Sequence, residues 1–217
     1  MSPAEDSDWP RASLLIGLPG QNKPSVKLVG VPLYLASLTP GRCDLAPSAI
    51  RSALRQFSTF DLEHSVQLEQ RCIEDFGDLG VSDLKPEEAF ETIANSIRSY
   101  GRNSGVVLVL GGDNSVTRPL VHGVTDSLNE TGLITLDAHL DVRRADLGLT
   151  NGNVIRVLLN DGVPGRNIVQ IGLQPFSNSA SYARFARGHD IRGITVSEVW
   201  QRGIESVIRE ALESLSH

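Results

Sequence analysis

Aromatic residues are scarce in this chain, with two Trp, three Tyr and six Phe among 217 residues. Its core must therefore be mainly aliphatic. Cysteine is nearly absent too. Cys43 and Cys72 have neither the spacing of a metal-ligand pair nor the number for a disulfide framework, which points to the cytoplasm. Long apolar runs are missing, so no transmembrane helix is expected, and Met1 to Pro10 is too polar for a signal peptide. Positive charge is in deficit. A formal net charge of -6 argues against nucleic acid or an anionic membrane surface as partner. Repeats and low-complexity tracts are absent, and the length suits one domain with a substantial core.

What is present is an alternation of apolar runs and helical patterns. Residues 1–24 read as a polar leader punctuated by Pro and Gly, and 25–217 as the folded domain. Strands are expected at Ser25 to Val31, Arg71 to Phe76, Val106 to Leu110, Leu133 to Leu136, Ile168 to Leu173 and Gly193 to Val196. Between them, Ile50, Ala53, Leu54 and Phe57 follow Pro47 with helical spacing, and Pro86 to Tyr100 carries Phe90, Ile93, Ala94 and Ile97 on one face. Further helices are expected within Ser115 to Asn129, after Asn151-Gly152-Asn153, over Asn178 to Arg187, and after a Ser197 cap. Such alternation means βαβ units, a mainly parallel sheet and helices on both faces: an α/β, three-layer α/β/α fold. His122 reads as a helix-surface or packing residue.

Two strand ends carry chemistry. Leu133 to Leu136 runs into Asp137, His139 and Asp141. If the chain stays extended, side chains two apart share a face. Two carboxylates and an imidazole together need a positive partner, and a divalent cation such as Mn, Zn or Fe suits them. The alternative is a solvated acidic loop with a chance His. Val106 to Leu110 runs into Gly111-Gly112-Asp113-Asn114-Ser115, where two glycines permit a tight turn and close backbone approach. Both sites stand at carboxyl ends of strands, where open α/β sheets bind ligands. The same glycines lack a full dinucleotide or Walker pattern, and Asp75-Phe76-Gly77 lacks the other kinase motifs.

This pair of motifs resembles the ureohydrolase family of arginases, agmatinases and formimidoylglutamases. That family carries Gly-Gly-Asp-His-Ser after one strand and Asp-Ala-His-x-Asp after the next. The succession Val-Gly-Val-Pro, Pro-Gly-Arg and Ala-Pro-x-Ala-Ile-Arg near the start is also similar. The resemblance implies an arginase-like sheet with about six of the family's eight strands. It implies two Mn ions sharing a hydroxide that attacks a guanidine or amidine carbon. Carried over, Asp137 bridges both metals, His139 binds one and Asp141 the other, while Asn114 stands where the remaining His ligand would be. Asp113 would brace the loop or cap the next helix.

Departures from the family pattern matter as much. Asn114 offers a neutral oxygen, a poorer ligand than imidazole. Asn151 replaces a His that assists proton transfer, so it cannot titrate, though Asn151 and Asn153 could hydrogen-bond a substrate or cap a helix. No Ser-x-Asp-x-Asp motif follows, so one Mn or none is expected here. In the family, two later strands stand between those ending in the two motifs. Without them, the strands ending at Leu110 and Leu136 must pair directly, accept another chain, or belong to a fragment; the last is preferred. Arg143, Arg144 and Arg156 lie near the metal motif and suit a substrate carboxylate. The resulting expectation is a formimidoylglutamase-like, Mn-dependent hydrolase of N-formimino-glutamate, of histidine catabolism. It would act on a small amidine or guanidine and form a homo-oligomer at full length. Alternatives are an agmatinase or guanidino-acid hydrolase, or a catalytically degenerate member acting as a binding or assembly subunit.

Overall fold

A computed structural model describes residues 8–18, 26–101, 105–146 and 148–215. Its elements in chain order are β1 (Ile16–Gly17), β2 (Val26–Val31), α1 (Ala46–Ala53), β3 (Phe60–Asp61), β4 (Val66–Gln67), β5 (Ile73–Asp78), α2 (Pro86–Gly101), β6 (Val106–Gly111), α3 (Thr117–Val124), β7 (Leu133–Leu136), α4 (Val154–Asp161), β8 (Ile168–Leu173), α5 (Ala180–Gly188), β9 (Arg192–Thr195), α6 (Val196–Arg202) and α7 (Ile204–Ser214). All six strands expected from the sequence exist, as β2, β5, β6, β7, β8 and β9. Together with β1 they form two sheets, β1-β5-β2-β6 and β7-β8-β9, with every pairing parallel. A short antiparallel hairpin, β3–β4, stands apart.

Both sheets are covered on both faces. Val29 and Val31 of β2 pack with Ala89, Ile93 and Ile97 of α2, while Gly30 turns the other way, toward Pro47 of α1. In the second sheet, Ile168 packs with Ile155 and Leu158 of α4, and Val169, Ile171 and Ile194 pack with Val207 and Ala211 of α7. Period-two alternation thus feeds two apolar layers from each strand. The halves are tied through helices: Arg118 of α3 forms a two-pronged ion pair with Asp161 of α4 at 2.7 and 2.9 Å. His122 adds a 2.9 Å contact to Asp161 and meets Phe90 edge-on, as a packing residue should.

Several sequence expectations need correction. β6 and β7 do not pair with each other; β6 is bonded to β2 and β7 to β8, which removes direct pairing from the three alternatives. Val106, Leu108 and Leu136 on these strands are exposed, Leu136 at 73%. The leader, where described, is not simply draped, because Ile16–Gly17 adds a strand beside Ile73 and Glu74. The strand expected from Arg71 starts at Ile73, since Arg71 has φ +57 and the register with β2 runs Val26 to Ile73. The apolar stripe of the first helix is largely uncovered, with Ile50 44% and Phe57 61% exposed. The last helix is capped by Thr195, not Ser197, in a reciprocal arrangement with Glu198, and Gly203 at φ +78 divides it into α6 and α7. Among the described residues no helix is long and apolar enough to cross a membrane.

Candidate functional site

The end of β6 is shaped by its glycines. Gly112 donates to Val31 O at 2.9 Å and Asp113 to Leu33 O at 2.7 Å. A Cβ on Gly112 would lie 2.0 Å from Leu33 O, so only glycine permits this approach. Asp113 then caps the next turn, its Oδ1 accepting from the Ser115 N–H at 2.9 Å and from the Ser115 hydroxyl. That is the bracing role expected for it. Among the described residues its buried Oδ2 has no partner.

The end of β7 departs from the expected geometry. Extension stops at Leu136, and the Asp137 N–H donates to Ile171 O at 3.0 Å. The chain then turns on the Asp137 side chain, whose Oδ1 accepts from the His139 N–H at 2.8 Å and lies 3.1 Å from His139 Nδ1. Asp141 has φ +48, a left-handed conformation that Asp tolerates better than most residues. A turn, not strand alternation, therefore sets where these side chains lie. Asp141 Oδ2 accepts from Asn114 Nδ2 at 2.6 Å, and Asn114 Oδ1 accepts from the Thr117 hydroxyl at 2.7 Å. The two motifs thus meet across the gap between the sheets.

Electrostatics mark Asp141. Burial, then the charge of Asp137, pushes its pKa up to about 6, against His139, the Asn114 hydrogen bond and Arg143. Donor chemistry therefore suits a divalent cation, which would relieve this repulsion. Convergence does not yet suffice: among the described residues no three His, Cys, Asp or Glu side chains form a group that could hold a metal ion. Asp137, His139 and Asp141 are not gathered into such a group, and Asn114 presents its N–H side to Asp141.

The other sequence-derived candidates divide sharply. Asn151 Oδ1 accepts from the Leu38 N–H at 3.1 Å, and its own N–H donates to Ala36 O, so Asn151 straps two loops together. Asn153 is 1% exposed. Its Oδ1 accepts from Thr150 N at 3.0 Å and its Nδ2 donates to Gly148 O at 2.9 Å, bracing the loop without capping α4. Both ends of the Asn153 carboxamide are thus taken up by the loop itself. Arg156 is likewise engaged: Nε donates to Val142 O and Arg143 O, both at 2.8 Å, and the guanidinium lies 3.6 Å from the Phe185 ring centroid. Arg144 pairs with Asp146. Arg143 is exposed, stands close enough to act on Asp141, and crosses Gly152, where a Cβ would lie 2.8 Å from its Cδ.

Two residues were missed. Gln170 of β8 is 1% exposed, and its Nε2 donates to His139 O at 3.4 Å and Leu140 O at 3.2 Å. Asn178 accepts from Leu140 N at 2.8 Å and donates to Ala138 O at 3.0 Å. A lone amide inside the apolar run Ile-Val-Gln-Ile was the readable sign for Gln170; Asn178 had none beyond a helix-start pattern.

The arginase family model matches residues 24–217. The chain is 34% identical over 194 residues to a formimidoylglutamase of Halalkalibacterium halodurans, covering 87% of this chain and 60% of the relative. It is 31% identical over 215 residues to that of Bacillus subtilis, covering 96% and 67%. The crystal structure of the Bacillus subtilis formimidoylglutamase superposes with a TM-score of 0.88 at 29% identity, covering 97% of this chain and 67% of that one. A Trypanosoma cruzi formiminoglutamase with Mn2+ gives 0.84 at 25%, covering 96% and 72%. The chain thus spans between 60% and 67% of the curated formimidoylglutamases it matches.

Proposed function

Because the chain belongs to the arginase family, we propose that it carries part of the active site of a Mn-dependent hydrolase of linear amidine C–N bonds, with N-formimino-glutamate as substrate. The observation that carries this reading is the meeting of Asn114 and Asp141 at 2.6 Å, which brings the two motif-bearing strand ends to one rim. Asp137, His139 and Asp141 would hold the metal, with Asn114 beside them. When bound, such an ion lowers the pKa of a water and supplies the nucleophile.

The chain's own residues would handle the substrate. Arg143 suits a substrate carboxylate, since its guanidinium makes no hydrogen bond to another described residue, whereas Arg144 and Arg156 are engaged. An anionic substrate is therefore favoured over cationic agmatine, the alternative being a guanidino acid. Asn151 cannot exchange a proton, so it would serve as a strap and a neutral hydrogen-bonding group. Free Cys43 and Cys72 support a reducing compartment, the cytoplasm.

A second reading, a catalytically degenerate binding or assembly subunit, is favoured by the lack of a convergent three-ligand group among the described residues. One assay separates the two. Ammonia, formamide and urea release are measured with added Mn2+ on N-formimino-glutamate, agmatine and arginine. We expect negligible turnover by these 217 residues, and formamide-type turnover from N-formimino-glutamate by a form extended through a Ser-x-Asp-x-Asp segment. An extended form inactive on all three substrates would overturn the hydrolase reading.

A further inference from the structure

β7 ends at Leu136, so the backbone that bears His139 and Asp141 has no sheet ladder to hold it. A buried or half-buried peptide still needs partners for its N–H and C=O groups. Here they come from side chains on another element. Asn178 grips two groups flanking His139, the Ala138 carbonyl at 3.0 Å and the Leu140 N–H at 2.8 Å. The Gln174 N–H reinforces Ala138 O at 3.1 Å. Gln170 takes the next two carbonyls, those of His139 and Leu140.

Gln170 is costly where it stands. It is 1% exposed among aliphatic neighbours, and its Oε1 has no hydrogen-bond partner among the described residues. Such an orphaned buried oxygen asks for an explanation. The geometry supplies a reason for the amide itself: its Nε2 reaches two carbonyls of the turn that bears His139 and Asp141, the same turn that Asn178 grips.

We propose that Asn178 and Gln170 are positioning residues, fixing the Ala138–Leu140 main chain so that His139 and Asp141 face Asp137. This rests on the reading of Asp137, His139 and Asp141 as metal ligands. Outer groups that orient ligands commonly change metal affinity by about 10- to 100-fold. They act here through the backbone, not through the ligands' own side chains.

The test uses the whole chain with Asn178→Leu and Asn178→Asp. Asn178→Asp keeps the acceptor for Leu140 N–H and loses the donor to Ala138 O. Three readouts are taken: amide hydrogen exchange at Leu140 and at Val169, the His139 ring resonances in metal-free protein, and Mn2+ binding followed by electron paramagnetic resonance. For Asn178→Leu we expect exchange at Leu140 to rise by about tenfold or more, at unchanged Val169 exchange, with displaced His139 resonances and Mn2+ affinity reduced about tenfold. Asn178→Asp should keep Leu140 protected and lose less affinity. Unchanged His139 resonances in Asn178→Leu would overturn the proposal, whatever Mn2+ does. A wild-type chain that binds no Mn2+ overturns the metal reading instead, and the ring resonances still decide the positioning one. If Asn178→Leu fails to fold, Gln170→Met is used: Leu140 N–H, held by Asn178, should stay protected, and unchanged His139 resonances would overturn the proposal.

Discussion

The carboxamide nitrogen of Asn114 lies 2.6 Å from Oδ2 of Asp141, joining the ends of β6 and β7 although those strands belong to different sheets. The bond crosses the gap at the level of the candidate metal ligands. It also turns the donor side of Asn114 toward a carboxylate, a hydrogen bond that favours the ionised form of Asp141.

Asp141 should make metal-free stability depend on pH. Its folded pKa of about 6 lies above its ordinary 3.8, owing first to burial and then to Asp137. The folded state therefore binds the proton more tightly, and its contribution is fully present below about pH 4 and lost as pH rises through about 6. The loss amounts to about 3 kcal/mol at most. Denaturant unfolding at pH 4 and pH 7 with chelator present should show this component in the wild type, and Asp141→Asn should remove it.

Asn114→His should strengthen Mn2+ binding by less than about tenfold. The imidazole supplies a better donor than a carboxamide whose oxygen is occupied by the Thr117 hydroxyl. The remaining ligand set is still partial. Calorimetric titration that found two tight sites per chain, with or without the substitution, would contradict this account.

Asp161→Ala should cost about 2 kcal/mol of stability. It leaves Arg118, whose side chain is 25% exposed, without its two hydrogen bonds, and removes the partner of His122. Burial alone would raise the Asp161 pKa, but the hydrogen bonds from Arg118 and His122 outweigh it and hold it low. The stabilisation is thus present above the ordinary carboxylate pKa and lost as pH falls through the folded one. The deficit of the variant, read from urea unfolding, should shrink in acid.

Gly112→Ala should be among the most damaging small substitutions in the chain. Its Cβ would lie 2.0 Å from a backbone oxygen, that of Leu33, which cannot move aside cheaply. A cost of about 3 kcal/mol is expected, visible as a lowered thermal midpoint. Gly80→Ala, where no atom lies within 4 Å of the added Cβ, is the control and should change little.

By itself, the sequence determined the elements whose causes are local. Leu133–Leu136 is the strand its apolar run indicates, Gly111-Gly112 makes the close turn two glycines permit, and Asp113 caps the turn that follows. The donor types at Asp137, His139 and Asp141 were equally legible as chemistry, because residue identity fixes what a side chain can donate or accept. Tertiary structure decided what depends on distant partners. The separation of β6 from β7, the exposed Ile50 and Phe57, and the register that moves a strand start from Arg71 to Ile73 follow from pairings across the chain. The roles of polar residues were hidden for the same reason. Asn153 and Arg156 could be substrate groups until the fold folds a loop around one and lays Phe185 against the other. Asn178 lies 39 residues from His139 in sequence and grips the peptides on either side of it. A hydrogen bond over that separation has no periodicity to announce it, since it exists only once β8 has paired beside β7.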